Sequence, residues 1–355
     1  MTEKKDVQLP FIFRRENVAR YEGGNVFILD RRIYPIETKF VHCKTHEDTA
    51  RAIEDMVTQS GGPSVAAGYG MVQAAHESAR LSGSKLVEAL EKATQRIVIT
   101  RPTNNHPANV ARHMLALAKD AIKDGKDVEK ELIKEMDRMF EERHKFGMAI
   151  GTAASSVIKD GDSILNHCWA EGGIVYTVYV ALKQGKKIKA YCSETRPYLQ
   201  GARLTADAVG DMGVDTTIIT DGMSAHLMSK GMITKFFAGA DRITMDGSVI
   251  NKIGTFTHAI CAHNFGIPFY AFCFGPDRNA PNPDYVKIEE RNPDEVLHCM
   301  GQRTATTKAK GYYPAFDITP PKFVSGIVTD KGVFSPYTLE SYFDDSKEGV
   351  SESFI

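Results

Sequence analysis

A thiol and a carboxylate stand out for where the local sequence puts them. Cys168 follows the apolar run 163–167 and precedes Gly172-Gly173, so it reads as a residue leaving a strand and approaching a helix. A thiol near a helix N-terminus has its pKa lowered and can give or take a proton. The competing reading is an inert buried cysteine, the commoner fate of such a residue. Asp241 follows Lys235-Phe236-Phe237-Ala238, with Gly239-Ala240 carrying the chain out of that strand. It then stands at a strand's carboxyl end, where open α/β sheets bind ligands. Asp246-Gly247 marks a turn, and a helix starting near Val249 would put Asn251 and Lys252 in its first turn. An amide, an ammonium and free backbone N–H groups near one carboxylate suit a phosphorylated ligand. Asp241 and Arg242 read equally as a solvated pair in a loop.

The segment Ser193–Arg203 follows another strand and holds Arg196, Gln200, Gly201 and Arg203. Two guanidinium groups, an amide and a glycine step could cradle a phosphate and sugar hydroxyls, or Glu194 and Arg196 could simply brace the loop. Asp221 ends a further strand and reads as well as a helix cap. His167 neighbours Cys168 in a strand and so faces the other way, which argues against a Cys–His dyad from this pair. Nothing in the spacing of histidines or carboxylates points to a metal. The first βα turn lacks G-x-G-x-x-G, which disfavours a dinucleotide enzyme.

The elements that must position these groups are ordinary for a globular chain. Of 355 residues, 42% are hydrophobic and 25% charged, so a sizeable core can be buried. A net charge of −1 argues against nucleic acid as the main partner. No run approaches the about 20 apolar residues of a membrane span, and Met-Thr-Glu-Lys-Lys-Asp leads into no signal-peptide core. Six scattered cysteines without C-x-x-C spacing read as free thiols. The expected location is the cytoplasm.

The first 24 residues read as an arm or β ribbon, before the strand Val26–Leu29. Thr45 and Asp48 make a capping box ahead of Ala50, Ile53 and Val57 at helical spacing. Further helical patterns run through Tyr69, over Leu86–Ile97, over Val110–Ala118 and over Leu132–Phe140. Strand-like runs at 163–167, 187–192, 215–220, 234–238, 267–273 and 324–328 then alternate with helix-length segments, which argues for a parallel sheet. The expected fold class is α/β, a C-terminal Rossmann-like parallel sheet with flanking helices after a smaller, mainly helical N-terminal domain with a short β preface. The expected domains are 1–150 and 151–340, with a frayed tail at 341–355.

Several segments together resemble the methylthioribose-1-phosphate isomerase family, whose superfamily includes ribose-1,5-bisphosphate isomerases and the regulatory subunits of a translation-factor exchange complex. They are His167-Cys168, Glu194-Thr195-Arg196-Pro197, Gln200–Ala206, Gly239–Arg242, Asn251–Thr255, Ile288–Arg291 and Pro314–Pro320. Leu29–Arg32 and Arg101-Pro102-Thr103 favour the isomerase branch. The resemblance implies an aldose-ketose isomerase of sugar 1-phosphates, free of metal and cofactor, acting as a homodimer with its site between domains. Carried over residue by residue, Cys168 and Asp241 are the catalytic pair, and Arg101, Gln200, Asn251 and Lys252 line the substrate site.

Three departures fall on the expected rim. The family's Arg-Gly-Ala-Pro-Ala becomes Ser60-Gly61-Gly62-Pro63-Ser64, where the amides of Gly61 and Gly62 remain to hold an anion. Ala-Val-Asn after Arg101-Pro102-Thr103 becomes Asn104-Asn105-His106, and Cys-Asn-Ala-Gly becomes Cys168-Trp169-Ala170-Glu171. The leading expectation is conversion of 5-methylthioribose 1-phosphate to 5-methylthioribulose 1-phosphate, as in methionine salvage. A more polar rim also fits 5-deoxyribose 1-phosphate or ribose 1-phosphate. A ribose-1,5-bisphosphate isomerase is a third reading, and a non-catalytic sugar- or nucleotide-phosphate-binding regulatory protein a fourth.

Overall fold

A computed structural model describes residues 7–101 and 105–344 of the chain; Pro102, Thr103 and Asn104 of the Arg101 loop, and the tail from 345, lie outside them. Its internal contacts divide into two compact units, Phe11–Lys145 and one that runs on from Phe146. The division falls inside a single 29-residue helix.

In the first unit a short helix α1 (Arg15–Val18) leads into an antiparallel sheet of β1 (Ala19–Glu22), β2 (Asn25–Leu29) and β3 (Phe40–Cys43). Gly23 and Gly24 take positive φ in the tight β1–β2 turn, a conformation that favours glycine. Five helices follow: α2 (His46–Glu54), α3 (Gly62–Glu77), α4 (Gly83–Val98), α5 (Asn105–Lys123) and α6 (Val128–Ser156). The Thr45/Asp48 capping box forms, with Asp48 N–H donating to Thr45 Oγ1 at 3.2 Å. Helix α2 ends before Val57, because Met56 turns the chain at φ 57°. Helix α3 is apolar around its whole circumference and is correspondingly buried all round, packing with Leu90, Ile97, Val110, Met114 and Met136.

The second unit is built on a seven-stranded sheet. Its strands are β4 (Ser163–His167), β5 (Lys189–Ser193), β6 (Asp215–Ile219), β7 (Lys235–Gly239), β10 (Phe269–Phe272), β14 (Gly326–Thr329) and β15 (Gly332–Phe334). Their order across the sheet is β15-β14-β10-β7-β4-β5-β6. All pair in parallel except β15, which runs antiparallel to β14. Helices α7 (Gly172–Lys183), α8 (Ala206–Asp211), α9 (Ser224–Ser229) and α10 (Thr255–Asn264) connect them, and a π-helical turn Gly201–Thr205 runs into α8. The sheet is apolar on both faces, with Leu165, Phe236, Ala238, Phe269, Ala271 and Ile327 buried, as expected of strands covered by crossover helices. A three-stranded antiparallel sheet of β8 (Arg242–Ile243), β9 (Val249–Lys252) and β13 (Phe316–Thr319) sits beyond β7. The short helix α11 (Asp294–Leu297) and the two-residue strands β11 (His298–Cys299) and β12 (Gln302–Arg303) fill the segment between.

Two expectations need correction. No helix starts near Val249: Val249–Lys252 is a strand, and α10 begins only at Thr255. The β-branched pair Val249-Ile250 has β13 to pair with, and that partner lies too far along the chain for local spacing to disclose. The stretch from 341 is not frayed throughout, since Leu339–Phe343 form a 3-10 turn and Tyr342 is 2% exposed against Phe334. Among the described residues no helix is long and apolar enough to cross a membrane.

Candidate active site

The strand order reverses direction at β4. From β4 the chain moves outward through β5 to β6, then returns to place β7 on β4's other side. Carboxyl ends flanking such a switch point splay apart and leave a crevice, the usual ligand position in open α/β sheets. Cys168 is the first residue after β4, and Asp241 is the second after β7, with His167 opposite Ala238 in the register. The two groups therefore emerge from adjacent strands at one end of the sheet. An added Cβ at Gly239 would lie in ordinary van der Waals contact with Ala170 at 3.4 Å and Asn251 Oδ1 at 3.9 Å, so the Cys168 loop, β7 and β9 lie close together here.

The chain aims the thiol by holding its backbone. Cys168 sits at φ 63°, in the left-handed region that favours glycine. Its N–H donates to Thr195 Oγ1 at 2.9 Å, and its carbonyl accepts from the Thr205 hydroxyl at 2.5 Å. Thr195 is also left-handed, and Asp221 holds it by accepting from the N–H groups of Thr195 and Arg196, each at 2.8 Å. Asp221 thus clamps a loop and does not cap a helix side-chain to backbone.

Neither candidate group keeps its ordinary pKa. Burial pushes the Cys168 thiol up to about 11, with the Lys252 charge and the Trp169 backbone N–H pulling it back. The expected lowering by the α7 N-terminus is overridden, so Cys168 holds its proton at neutral pH. Its side chain still keeps some contact with solvent. Desolvation raises the Asp241 carboxyl to about 6, the Lys252 charge opposes this and Glu289 adds to it. Asp241 is exposed to solvent, with protein atoms crowded around it. Cys168 in turn feels the Asp241 charge.

Lys252 is 8% exposed, and its ammonium lies 4.5 Å from the centre of the Phe316 ring. Asn251 is buried and donates to Thr255 Oγ1 at 2.9 Å, while Thr255 Oγ1 donates to Lys252 O at 2.7 Å. Asp317, opposite Asn251 in β13, accepts from the N–H groups of Gly254 (2.7 Å) and Phe256 (3.1 Å) and so ties β9 to the start of α10. Gln200 is 9% exposed, and its Oε1 has no protein donor. The Trp169 indole N–H and the Tyr313 hydroxyl are likewise buried without a protein partner.

The two loop arginines do not form the phosphate cradle that their types suggested. Arg196 donates to the carbonyls of Pro197, Val296 and His298, and Arg203 to that of Tyr198. Both brace the loop. Behind Cys168, His167 Nε2 lies 3.0 Å from Ile253 O, which can only accept, so that nitrogen carries the proton. His167 Nδ1 then accepts, from His258 Nε2 at 3.1 Å and the Ser193 hydroxyl at 2.7 Å, and His258 Nδ1 accepts from the Ser224 hydroxyl at 2.8 Å. Burial lowers the pKa of both rings. His167, His258 and Asp221 bring ligand-type atoms within 4.8 Å of one another, a grouping that no sequence spacing announced. Hydrogen bonds already engage all four ring nitrogens.

Cys168, Gln200, Asp241, Asn251 and Lys252 all lie in the second unit. Gly61, Gly62 and Arg101 lie in the first. Gly62 opens α3, but its N–H donates to Gln59 O at 3.1 Å, so this amide, expected to face an anion, is engaged in a turn. The Arg143 guanidinium lies against Gly61, where any side chain would collide with it. Arg101 is half-buried just after α4. Sequence reasoning missed Tyr313, Thr195 and the His167–His258 pair. Tyr313 directly precedes the Pro314–Pro320 segment that carries part of the resemblance, and Thr195 lies inside another, so adjacency was their one available signal. His258 had none.

Residues 57–336 match the model of the initiation factor 2 subunit family. The methylthioribose-1-phosphate isomerase 1 of Pseudothermotoga lettingae is 37% identical over 331 residues, covering 89% of this chain and 94% of its own. The methylthioribose-1-phosphate isomerase of Thermosipho africanus is 36% identical, covering 92% and 97%. The crystal structure of 5-methylthioribose 1-phosphate isomerase from Pyrococcus horikoshii superposes with a TM-score of 0.86 at 30% identity, covering 97% of this chain and 98% of that one. The structure of translation initiation factor eIF-2B, subunit delta, from A. fulgidus gives 0.80 at 31% identity, covering 90% and 96%. The chain therefore belongs to the initiation factor 2 subunit family, on the branch of the methylthioribose-1-phosphate isomerases.

Proposed function

We propose that this chain is an aldose-ketose isomerase that converts 5-methylthioribose 1-phosphate to 5-methylthioribulose 1-phosphate in methionine salvage. The observation that carries the reading is the emergence of Cys168 and Asp241 from the neighbouring strands β4 and β7 at the switch point, with Lys252 acting on both.

The phosphate on C1 blocks simple opening of the ring to an aldehyde. Net isomerisation needs the ring oxygen to gain a proton, the C2 hydroxyl to lose one, and the C2 hydrogen to pass to C1. A carboxyl with a pKa near 6 is mostly ionised at pH 7 yet readily reprotonated, which suits Asp241 to take the C2 hydroxyl proton. A thiol that keeps its proton suits Cys168 to supply one beside C1 and C2. Lys252, with the Asn251 amide, supplies positive and polar groups for the phosphate. Proton transfer by such groups contributes about 10²–10⁴-fold, so positioning and electrostatics supply the remainder.

The test is proton NMR of the wild-type protein with the 1-phosphates of 5-methylthioribose, 5-deoxyribose and ribose. The expected result is ketose signals, fastest for the methylthio compound, and their loss in Cys168→Ser and Asp241→Asn. Conversion of none of the three would overturn the reading in favour of a phosphate-binding regulatory protein, which the likeness to the A. fulgidus subunit brings into view. Faster conversion of ribose 1-phosphate would favour a hydroxylated sugar at a polar rim, for which the unpartnered Trp169 N–H offers a donor. We also infer a cytoplasmic homodimer. The free cysteines suit a reducing compartment, and light scattering in solution tests the stoichiometry.

A further inference from the structure

Two tyrosines lie side by side near the residues described above. Tyr198 and Tyr313 have ring centroids 6.5 Å apart. The Tyr198 side chain lies beside Glu295, and the Arg291 guanidinium lies 5.0 Å from its ring centre. Tyr313 is 3% exposed, and its hydroxyl has no hydrogen-bond partner among the described residues.

The backbone on both sides of Tyr313 is fixed. Arg291 N–H donates to Tyr313 O at 2.9 Å, Ala315 N–H to Glu289 O at 2.8 Å, and Ile253 N–H to Ala315 O at 3.1 Å. These bonds seat Tyr313 just beyond the end of β9 that carries Asn251 and Lys252, since Phe316 lies opposite Lys252 in the register. Tyr198 belongs to the same loop as Gln200, whose Oε1 is also without a donor. Tyr313 is moreover within electrostatic reach of Cys168, and burial raises its pKa. The phenol thus keeps its proton at any physiological pH and is available as a donor.

A buried hydroxyl with no partner costs about 1–3 kcal/mol of desolvation. Such groups are rare in folded proteins, and each calls for a missing partner. Here three elements that bear site residues, the β5 loop, β9 and the Cys168 loop, converge on this one.

We propose that the Tyr313 hydroxyl is a substrate-binding group, donating a hydrogen bond to an oxygen of the sugar phosphate held beside Cys168. The inference deepens the isomerase reading and rests on it. It makes Tyr313 a residue that distinguishes a sugar oxygen at the reacting end from an apolar atom, as sites built to bond a hydroxyl do.

Tyr313→Phe removes only the hydroxyl. Were that hydroxyl structural, its loss would lower the melting temperature. If it waits for substrate, the ligand-free variant melts at the wild-type temperature or higher. The second measurement is calorimetric binding of 5-methylthioribose 1-phosphate in a Cys168→Ser background, where turnover does not interfere. We expect about tenfold weaker binding with Tyr313→Phe added, together with about a tenfold fall in kcat/KM in the otherwise native enzyme. Equal affinity and equal kcat/KM with and without the hydroxyl overturn the proposal, as does a lowered melting temperature with unchanged affinity. Absence of wild-type turnover alongside the affinity loss would instead sink the isomerase reading and leave Tyr313 a ligand-binding residue.

Discussion

The Cys168 N–H donates to the Thr195 hydroxyl oxygen at 2.9 Å, and both residues have a φ of 63°. Left-handed backbone at a residue other than glycine costs about 1–3 kcal/mol, and a β-branched threonine is among the least suited to it. The strain persists because Asp221 grips the Thr195 and Arg196 amides and Thr205 grips the Cys168 carbonyl. What that constraint determines is the direction of a thiol.

Thr195→Val keeps the branching and removes the hydroxyl. It leaves the Cys168 N–H and the Ser193 carbonyl, which Thr195 Oγ1 bonds at 3.1 Å, without their partner. We expect a loss of about 1–3 kcal/mol in denaturant unfolding and a fall in kcat of about tenfold with a smaller change in KM. Unaltered kcat would mean that the clamp does not orient the thiol.

The pH profile follows from the two shifted groups. Asp241 must be ionised to accept a proton, so kcat/KM should rise with pH through about 6. Cys168 must keep its proton, so activity should hold across neutrality and fall only toward about 11. The profile is then broad and flat from about pH 7 to 10, read from the free enzyme's ionisations. A basic limb near 8 would indicate a thiol of ordinary pKa and contradict the assignment of the proton to sulfur.

The sequence disclosed the sheet, and the places where Cys168 and Asp241 leave it, for a physical reason. Strands such as Lys235–Gly239 are buried on both faces and read as short apolar runs, and the ligand end of such a run is where Asp241 stands. The same logic failed at Val249–Lys252, because an antiparallel strand beyond the sheet depends on a partner at 316–319 that local spacing cannot reveal. It failed again for the Cys168 pKa, where burial outweighs the helix end. Tyr313 was invisible for a third reason: the second residue of Tyr312-Tyr313-Pro314 has no periodicity to mark it, and the proposal for it rests on a bond that its hydroxyl does not make.

Asp317 tests whether β9 is held by α10's first turn. Burial raises its carboxyl to about 6, although it accepts two backbone N–H groups. Because its folded pKa lies above the unfolded one, the ionised group disfavours folding above about pH 6, and this handicap fades as pH falls toward 4. Asp317→Asn should therefore match or exceed wild-type stability at pH 8 and lose that advantage at pH 4. Asp317→Ala should cost about 1–2 kcal/mol at both, as lost caps do, and should raise KM by loosening Asn251 opposite. Equal melting curves for the asparagine and alanine variants would count against the cap.

The buried His167–His258 pair sets the acid limit of the fold. Both rings are held neutral by burial, with folded pKa values below the unfolded 6.5. Stability from this pair is complete above pH 6.5 and lost as pH falls, because the unfolded chain binds protons that the folded chain refuses. Asp221, 4.0 Å from His167 Nδ1, opposes that trend and Lys252 reinforces it. Replacing His258 with Phe removes one titrating group from the folded core. The slope of unfolding free energy between pH 6.5 and 5 should then be shallower by up to about one proton, about 1.4 kcal/mol per pH unit. Ring nitrogen shifts in the wild type should stay those of neutral imidazoles, with the His167 proton on Nε2, down to pH 5.5. An imidazolium signal from either ring at that pH would reverse the tautomer assignment and remove the pair from the acid transition.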